Sequence, residues 1–98
     1  MTKSDVIAAL QGEADAVKAF GATALYLFGS TMRGSAGPGS DVDLFVDYNR
    51  DIGFSLIELV GIKQHLEGRL GIRVDLTTRD SLDPLLRPRI EAAAERIF

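Results

Sequence analysis

Asp41 and Asp43 stand two positions apart at the head of the run "VDLFVDY", and a third aspartate, Asp75, sits inside "RVDLTT". Both runs alternate in the manner of strands, so Asp41 and Asp43 share a face with β-carbons ~6–7 Å apart. Carboxylates so placed can converge on divalent ions ~3.5–4 Å apart, the spacing of two-metal phosphoryl-transfer sites. A bare D-x-D also suits an ordinary exposed sheet face. Asp75 changes the balance. Aspartate fits strand interiors poorly, and carboxylates on neighbouring strands repel unless a cation joins them. Asp47 has the same parity, but it lies at the strand end and is expected to be solvated.

Before the aspartates comes Gly29-Ser30, directly after the apolar run "TALYLF", and then the loop "GSAGPGS". A glycine at 29 lets the backbone approach an anion. If "STMRG" starts a helical turn, its free N–H groups and the Ser30 hydroxyl form a small anion site. Familiar phosphate cradles do not fit. Gly34 and Gly39 have P-loop spacing, but Ser40 and Asp41 follow where Lys and a hydroxyl residue belong, which reverses the electrostatics. No G-x-G-x-x-G is present. An EF-hand fails because Phe45 stands where the next oxygen ligand belongs and Val46 where the glycine belongs. Arg33 is the basic side chain best placed to meet a phosphate.

The elements that must position these groups follow from periodicity. Residues 4–20 read as one amphipathic helix carrying Val6, Leu10, Ala14 (or Glu13 and Val17) and Phe20, capped by Ser4 or Asp5 and ended by Gly21. Thr23–Phe28 reads as a buried strand. In Val42–Tyr48, Val42, Leu44 and Val46 face one way, and Asp43, Phe45 and Asp47 the other. "SLIELVGIKQHLEGRLG" is a second long helix with Leu56, Leu59, Val60, Lys63, Leu66 and Leu70 on one side and Gly71 as its stop. Ile72–Thr78 is a third strand, with Val74 and Leu76 opposite Arg73, Asp75 and Thr77. "RIEAAAERIF" reads as a closing helix with Ile90, Ala93, Ala94 and Ile97 inward and Pro88 in its first turn. The result is an α/β fold, a small mixed sheet of about three or four strands flanked by helices. His65 is expected as a solvated surface residue, Tyr26 as sheet packing, and Arg87, Arg89 and Arg96 on the outer face of the last helix.

Composition bounds the function. The 98 residues are expected to form a single domain, 1–98, with one core. Apolar residues make up 46% and charged residues 26%, an ordinary globular balance rather than a disordered one. The absence of cysteine excludes thiolate metal sites and cysteine nucleophiles, and fits a cytoplasmic protein. The N-terminal stretch has no signal-peptide pattern. No apolar run nears the ~20 residues of a membrane span, so no membrane association is expected. A net charge of −3 argues against direct nucleic-acid binding.

Taken together, the residues read G-S-x-x-x-G-x-x-x-x-x-S-D-x-D-L from Gly29 to Leu44, with "VDL" around Asp75 further on. This resembles the nucleotidyltransferase signature of the DNA polymerase β-like superfamily. More closely, it resembles the minimal nucleotidyltransferases (MNT), antitoxins to HEPN-domain toxins. Thr31 stands where many relatives carry arginine. The resemblance implies that Gly29, Ser30, Arg33 and Ser40 meet the nucleotide. It implies that Asp41, Asp43 and Asp75 bind two Mg²⁺, with Asp75 completing the acceptor-side ion or taking the proton. It further implies transfer of AMP from ATP to a hydroxyl, a tyrosine of the partner HEPN toxin. The chain length leaves no room for an extra helical domain to hold a small substrate, so the acceptor is expected on another protein. The alternative is an antitoxin with weak catalysis that binds nucleotide and neutralises its toxin by contact.

Overall fold

The computed structural model describes residues 2–29 and 41–98. Helix α1, Lys3–Gln11, starts at a capping box in which the Thr2 hydroxyl accepts from the Asp5 N–H and the Asp5 carboxylate accepts from the Thr2 N–H. The expected single helix over 4–20 is in fact two. Gly12 and Glu13 interrupt it, and α2 runs Ala14–Ala19. Glycine is a weak helix former. Glu13, with φ −101° and ψ 10°, leaves helical geometry, and its carboxylate turns to a later helix. The apolar set survives the break, since Val6, Leu10 and Val17 are all buried.

Strand β1, Ala22–Phe28, pairs antiparallel with β2, Val42–Tyr48. Helix α3, Leu56–Leu70, is capped by Ser55, whose hydroxyl accepts from the Ile57 N–H, and it ends at Gly71 in the left-handed conformation, φ 70°. Strand β3, Val74–Thr78, pairs parallel with β2. After a 3-10 turn at Arg79–Ser81 comes α4, Arg87–Ala93, with proline in its first turn as the sequence predicts. The predicted closing helix ends at Ala93. Glu95–Arg96 forms a short strand, β4, antiparallel to β1, with Tyr26 opposite Arg96 and Leu27 opposite Glu95. The sheet order is β3-β2-β1-β4, a mixed four-stranded sheet.

One sheet face is the core. Leu25 and Leu27, Val42, Leu44 and Val46, and Val74 and Leu76 meet Val6, Leu10, Val17, Ile62 and Leu66 from the helices. The side expected for α3 holds in part: Leu66 is buried and Leu59 and Leu70 pack against the core. Ile62 joins them, whereas Leu56 is 72% and Val60 39% exposed. Gly61 contributes, because a β-carbon there would lie 2.6 Å from the Phe20 ring. The other sheet face carries Phe28, Tyr26, Asp43, Phe45, Asp75 and Thr77, as the alternation predicts. Among the described residues, no helix is long and apolar enough to cross a membrane.

Candidate active site

Register places the aspartates. β2 runs parallel to β3, with Val42 opposite Val74, Asp43 opposite Asp75 and Phe45 opposite Thr77. Across the antiparallel pair, Phe28 lies opposite Asp43. Phe28, Asp43 and Asp75 therefore form a row over three strands at the end where β1 finishes and β2 begins. The expectation that two strands bring their aspartates side by side is met by Asp43 and Asp75. Asp41 lies one residue before β2 and is exposed. Its carboxylate receives the Arg73 guanidinium, Nε to Oδ1 3.1 Å, and the Val42 N–H donates to the Arg73 carbonyl beside it.

Gly29 closes the row. Its φ of +78° is a conformation that disfavours any side chain, and a β-carbon there would lie 2.1 Å from Asp43 Oδ2. The missing side chain at 29 gives the Asp43 carboxylate its place against the β1 backbone. Ser30, Arg33 and Ser40, expected at the nucleotide, lie outside the described residues.

The donor set suits a hard divalent cation, since it consists of carboxylate oxygens at adjacent strand ends. As they stand, no three histidine, cysteine or carboxylate groups among the described residues lie together closely enough to hold an ion. Asp41 is engaged with Arg73 instead.

Further along the same face, the sheet is aromatic and then cationic. Tyr26 stacks on Phe45 with ring centroids 4.7 Å apart, and Phe28 packs against Phe45 at 5.7 Å. Tyr26 is thus sheet packing, as expected. Arg79 lies over both rings, 4.8 Å from Tyr26 and 5.0 Å from Phe45. It donates to both Asp47 oxygens, at 2.7 and 3.0 Å, and to Glu91 of α4. These bonds, Asp47 foremost, hold its pKa above an already high value. Asp47 is therefore no freely solvated strand end. It ties β2 to the turn after β3 through a bidentate bond.

Two other expectations change. His65 is half-buried, its Nε2 2.7 Å from Glu13 Oε1, and Arg69 Nε donates to the other Glu13 oxygen at 3.3 Å. These contacts, His65 first, hold the Glu13 carboxyl below its ordinary range. They fix the interruption between α1 and α2 to α3. Arg96 belongs to β4, not to a helix, and lies 6.0 Å from the Tyr26 ring. Sequence reasoning passes over Arg73 and Arg79. Arg73 shares the parity of Asp75, but that parity points to Asp41 only once the facing strand is known, and nothing local distinguishes Arg79 from any other turn residue.

A small mixed sheet with helices packed on one face and strand-end aspartates on the other is the frame of a nucleotidyltransferase domain. Residues 14–97 match the family of that description, the nucleotidyltransferase domain. The chain belongs to this family, among its minimal members. It is 41% identical over 63 residues to the protein adenylyltransferase MntA of Thermococcus cleftensis, a match covering 64% of this chain and 62% of that protein. It thus spans somewhat less than two thirds of that relative's length. A solved structure assigned as a minimal nucleotidyltransferase superposes with a TM-score of 0.85 at 33% identity, over 97% of this chain and 95% of that one. A chain from the complex of the tri-AMPylated HEPN toxin of Shewanella oneidensis with its MNT antitoxin shares the fold, with a TM-score of 0.64 at 19% identity, over 90% of this chain and 68% of that one.

Proposed function

We propose that this protein transfers AMP from ATP to a hydroxyl group, that of a tyrosine on a HEPN-domain toxin, and so acts in the cytoplasm as the antitoxin to that partner. The observation that carries the reading is the Asp43–Asp75 pair, in register on adjacent parallel strands and set against the bare backbone of Gly29. The name of the Thermococcus relative and the AMPylated toxin of the Shewanella complex support the reaction and the partner.

Asp41, Asp43 and Asp75 are the residues that would hold two Mg²⁺. Bound there, the ions would neutralise the triphosphate and lower the pKa of the attacking hydroxyl. The protein's own part is alignment. Gly29 brings the end of β1 close to the donor's phosphates, with Ser30, Arg33 and Ser40 assigned to the same task. Asp75, exposed on an edge strand, takes the hydroxyl proton on a carboxylate oxygen as the hydroxyl oxygen bonds to the α-phosphorus. The α–β phosphoanhydride bond breaks and pyrophosphate leaves. Arg79, bound to Asp47 and Glu91, locks the aromatic layer two residues along β2 from Asp43.

The test is incubation with α-labelled ATP, Mg²⁺ and a HEPN-domain toxin from the same organism, repeated with Asp41→Asn and Asp43→Asn. Label should pass to the toxin with the wild type and with neither variant. Neutralisation surviving both substitutions with no label transferred would favour the second reading, an antitoxin acting by contact. The observation on that side is the exposed apolar group Ile52 (65%), Leu56 (72%) and Ile57 (82%).

A further inference from the structure

Arg73 precedes β3 as Asp41 precedes β2, and the parallel register sets the two opposite each other. Its guanidinium is bound to the Asp41 carboxylate at 3.1 Å. The next positions on the same face are the Asp43 and Asp75 pair. Asp41, one of the carboxylates proposed to hold metal, therefore already carries a positive charge supplied by the chain. The pair is built to open: the Arg73 side chain is 76% exposed and that of Asp41 46%, so water can take over both groups. An exposed pair of this kind is worth little and is readily exchanged. A divalent ion on Asp41 would meet the guanidinium within a few ångströms, and like charges at that range repel. A triphosphate arriving beside Asp41 offers the displaced guanidinium an anion with matching fork geometry.

We propose that Arg73 is an exchange latch. In the nucleotide-free protein it occupies Asp41 and weakens binding of a bare divalent ion; when metal and nucleotide arrive together it moves from Asp41 to the phosphates. This rests on the metal and nucleotide reading of the site, and it makes the ion and the triphosphate bind cooperatively. A bare ion must displace Arg73 from Asp41 with no phosphate to receive it, whereas an ion accompanied by triphosphate displaces it onto a new partner.

Mn²⁺ affinity, read from the EPR signal of the free ion, tests this without any turnover. It is measured with and without α,β-methylene-ATP, whose α–β linkage cannot be cleaved. Arg73→Gln should bind Mn²⁺ alone about two- to fivefold more tightly than wild type, the range an exposed ion pair allows. The tightening that the nucleotide analogue produces should shrink by at least the same factor. Arg73→Lys, which keeps the charge, should stay close to wild type. Arg69→Gln, which removes an equal charge bound to Glu13, should leave both affinities unchanged. An Arg73→Gln protein that matches wild type, or an Arg69→Gln protein showing the same gain, would overturn the latch while Asp43-dependent Mn²⁺ binding kept the metal reading intact. A wild type that takes up no Mn²⁺ even with the analogue overturns both.

Discussion

At Gly29 two requirements meet in one residue. The backbone needs a φ of +78°, and the Asp43 carboxylate fills the space a β-carbon would use. The left-handed conformation costs a side chain about 1–2 kcal/mol, and the contact at 2.1 Å adds a displacement of Asp43 itself. Gly29→Ala should therefore lower the thermal midpoint by ~4–16 °C, roughly what ~1–2 kcal/mol means for a domain of this size, while AMP transfer falls at least ~10-fold because a proposed metal ligand has moved. Differential scanning fluorimetry beside the labelled-ATP assay checks both; a protein that melts earlier but transfers normally would show that Asp43 tolerates the shift. The aspartates at this site were legible because carboxylates at strand parity are chemically anomalous. Arg73 was not singled out, because an arginine at a strand entrance is ordinary until the register of the facing strand is known.

Among the elements, the junction after β3 shows how a turn is held by one carboxylate. Asp80 accepts from the Thr78 hydroxyl at 2.6 Å, the Tyr48 hydroxyl at 2.6 Å and the Arg50 guanidinium at 3.1 Å, so it joins the ends of β2 and β3. The Thr78 bond, then the Tyr48 bond, hold its pKa below the ordinary 3.8, and the same carboxylate pushes the Tyr48 phenol upward. A depressed carboxyl pKa contributes stability that is present above the unfolded value and lost as pH falls through the folded one. Asp80→Asn should thus cost about 1 kcal/mol at neutral pH, after allowance for solvent screening. The gap from wild type should close as the pH drops below 3.8, and the Tyr48 absorbance titration should move to lower pH in the variant. Urea midpoints across that range and an ultraviolet titration of the phenolate provide the check. The same scale explains where periodicity misled. Apolar residues lie on more than one side of α3, so spacing alone put Leu56 and Val60 in the buried stripe and left out Ile62. Packing kept Leu59, Leu66 and Leu70 and added Ile62, with Gly61 admitting the Phe20 ring on the buried flank. The break between α1 and α2 depends on Glu13 reaching His65 and Arg69, contacts with residues far along the chain that no local pattern contains.

For the whole molecule, the deciding feature is that a mixed sheet buries one face under helices and leaves the other to the site. Strand parity announced the two faces. It did not announce the strand order, because parallel pairing of β2 with β3 and antiparallel pairing of β1 with β4 are choices made by distant contacts. The C-terminal residues illustrate this. Ile90, Ala93, Ala94 and Ile97 have helical spacing, yet an unpaired edge of β1 is a liability, and β4 covers it. The Ile97 N–H donates to the Leu25 carbonyl at 2.8 Å, the Leu25 N–H donates to the Phe98 carbonyl at 3.1 Å, and the Ile97 side chain is buried in the core. Helix propensity over these few residues is worth less than two such bonds and a buried isoleucine. Ile97→Ala should then cost about 2–4 kcal/mol, a large share of the ~5–15 kcal/mol that holds a domain of this size. Because Ile97 packs on the helix side and the aspartates lie on the other face, AMP transfer per folded molecule should stay unchanged well below the melting temperature. Urea unfolding of Ile97→Ala, paired with initial transfer rates at low temperature, separates the two faces. A stable but inactive variant would mean that the edge strand reaches the chemistry, and an unstable but fully active one that the two faces are independent, as the topology requires.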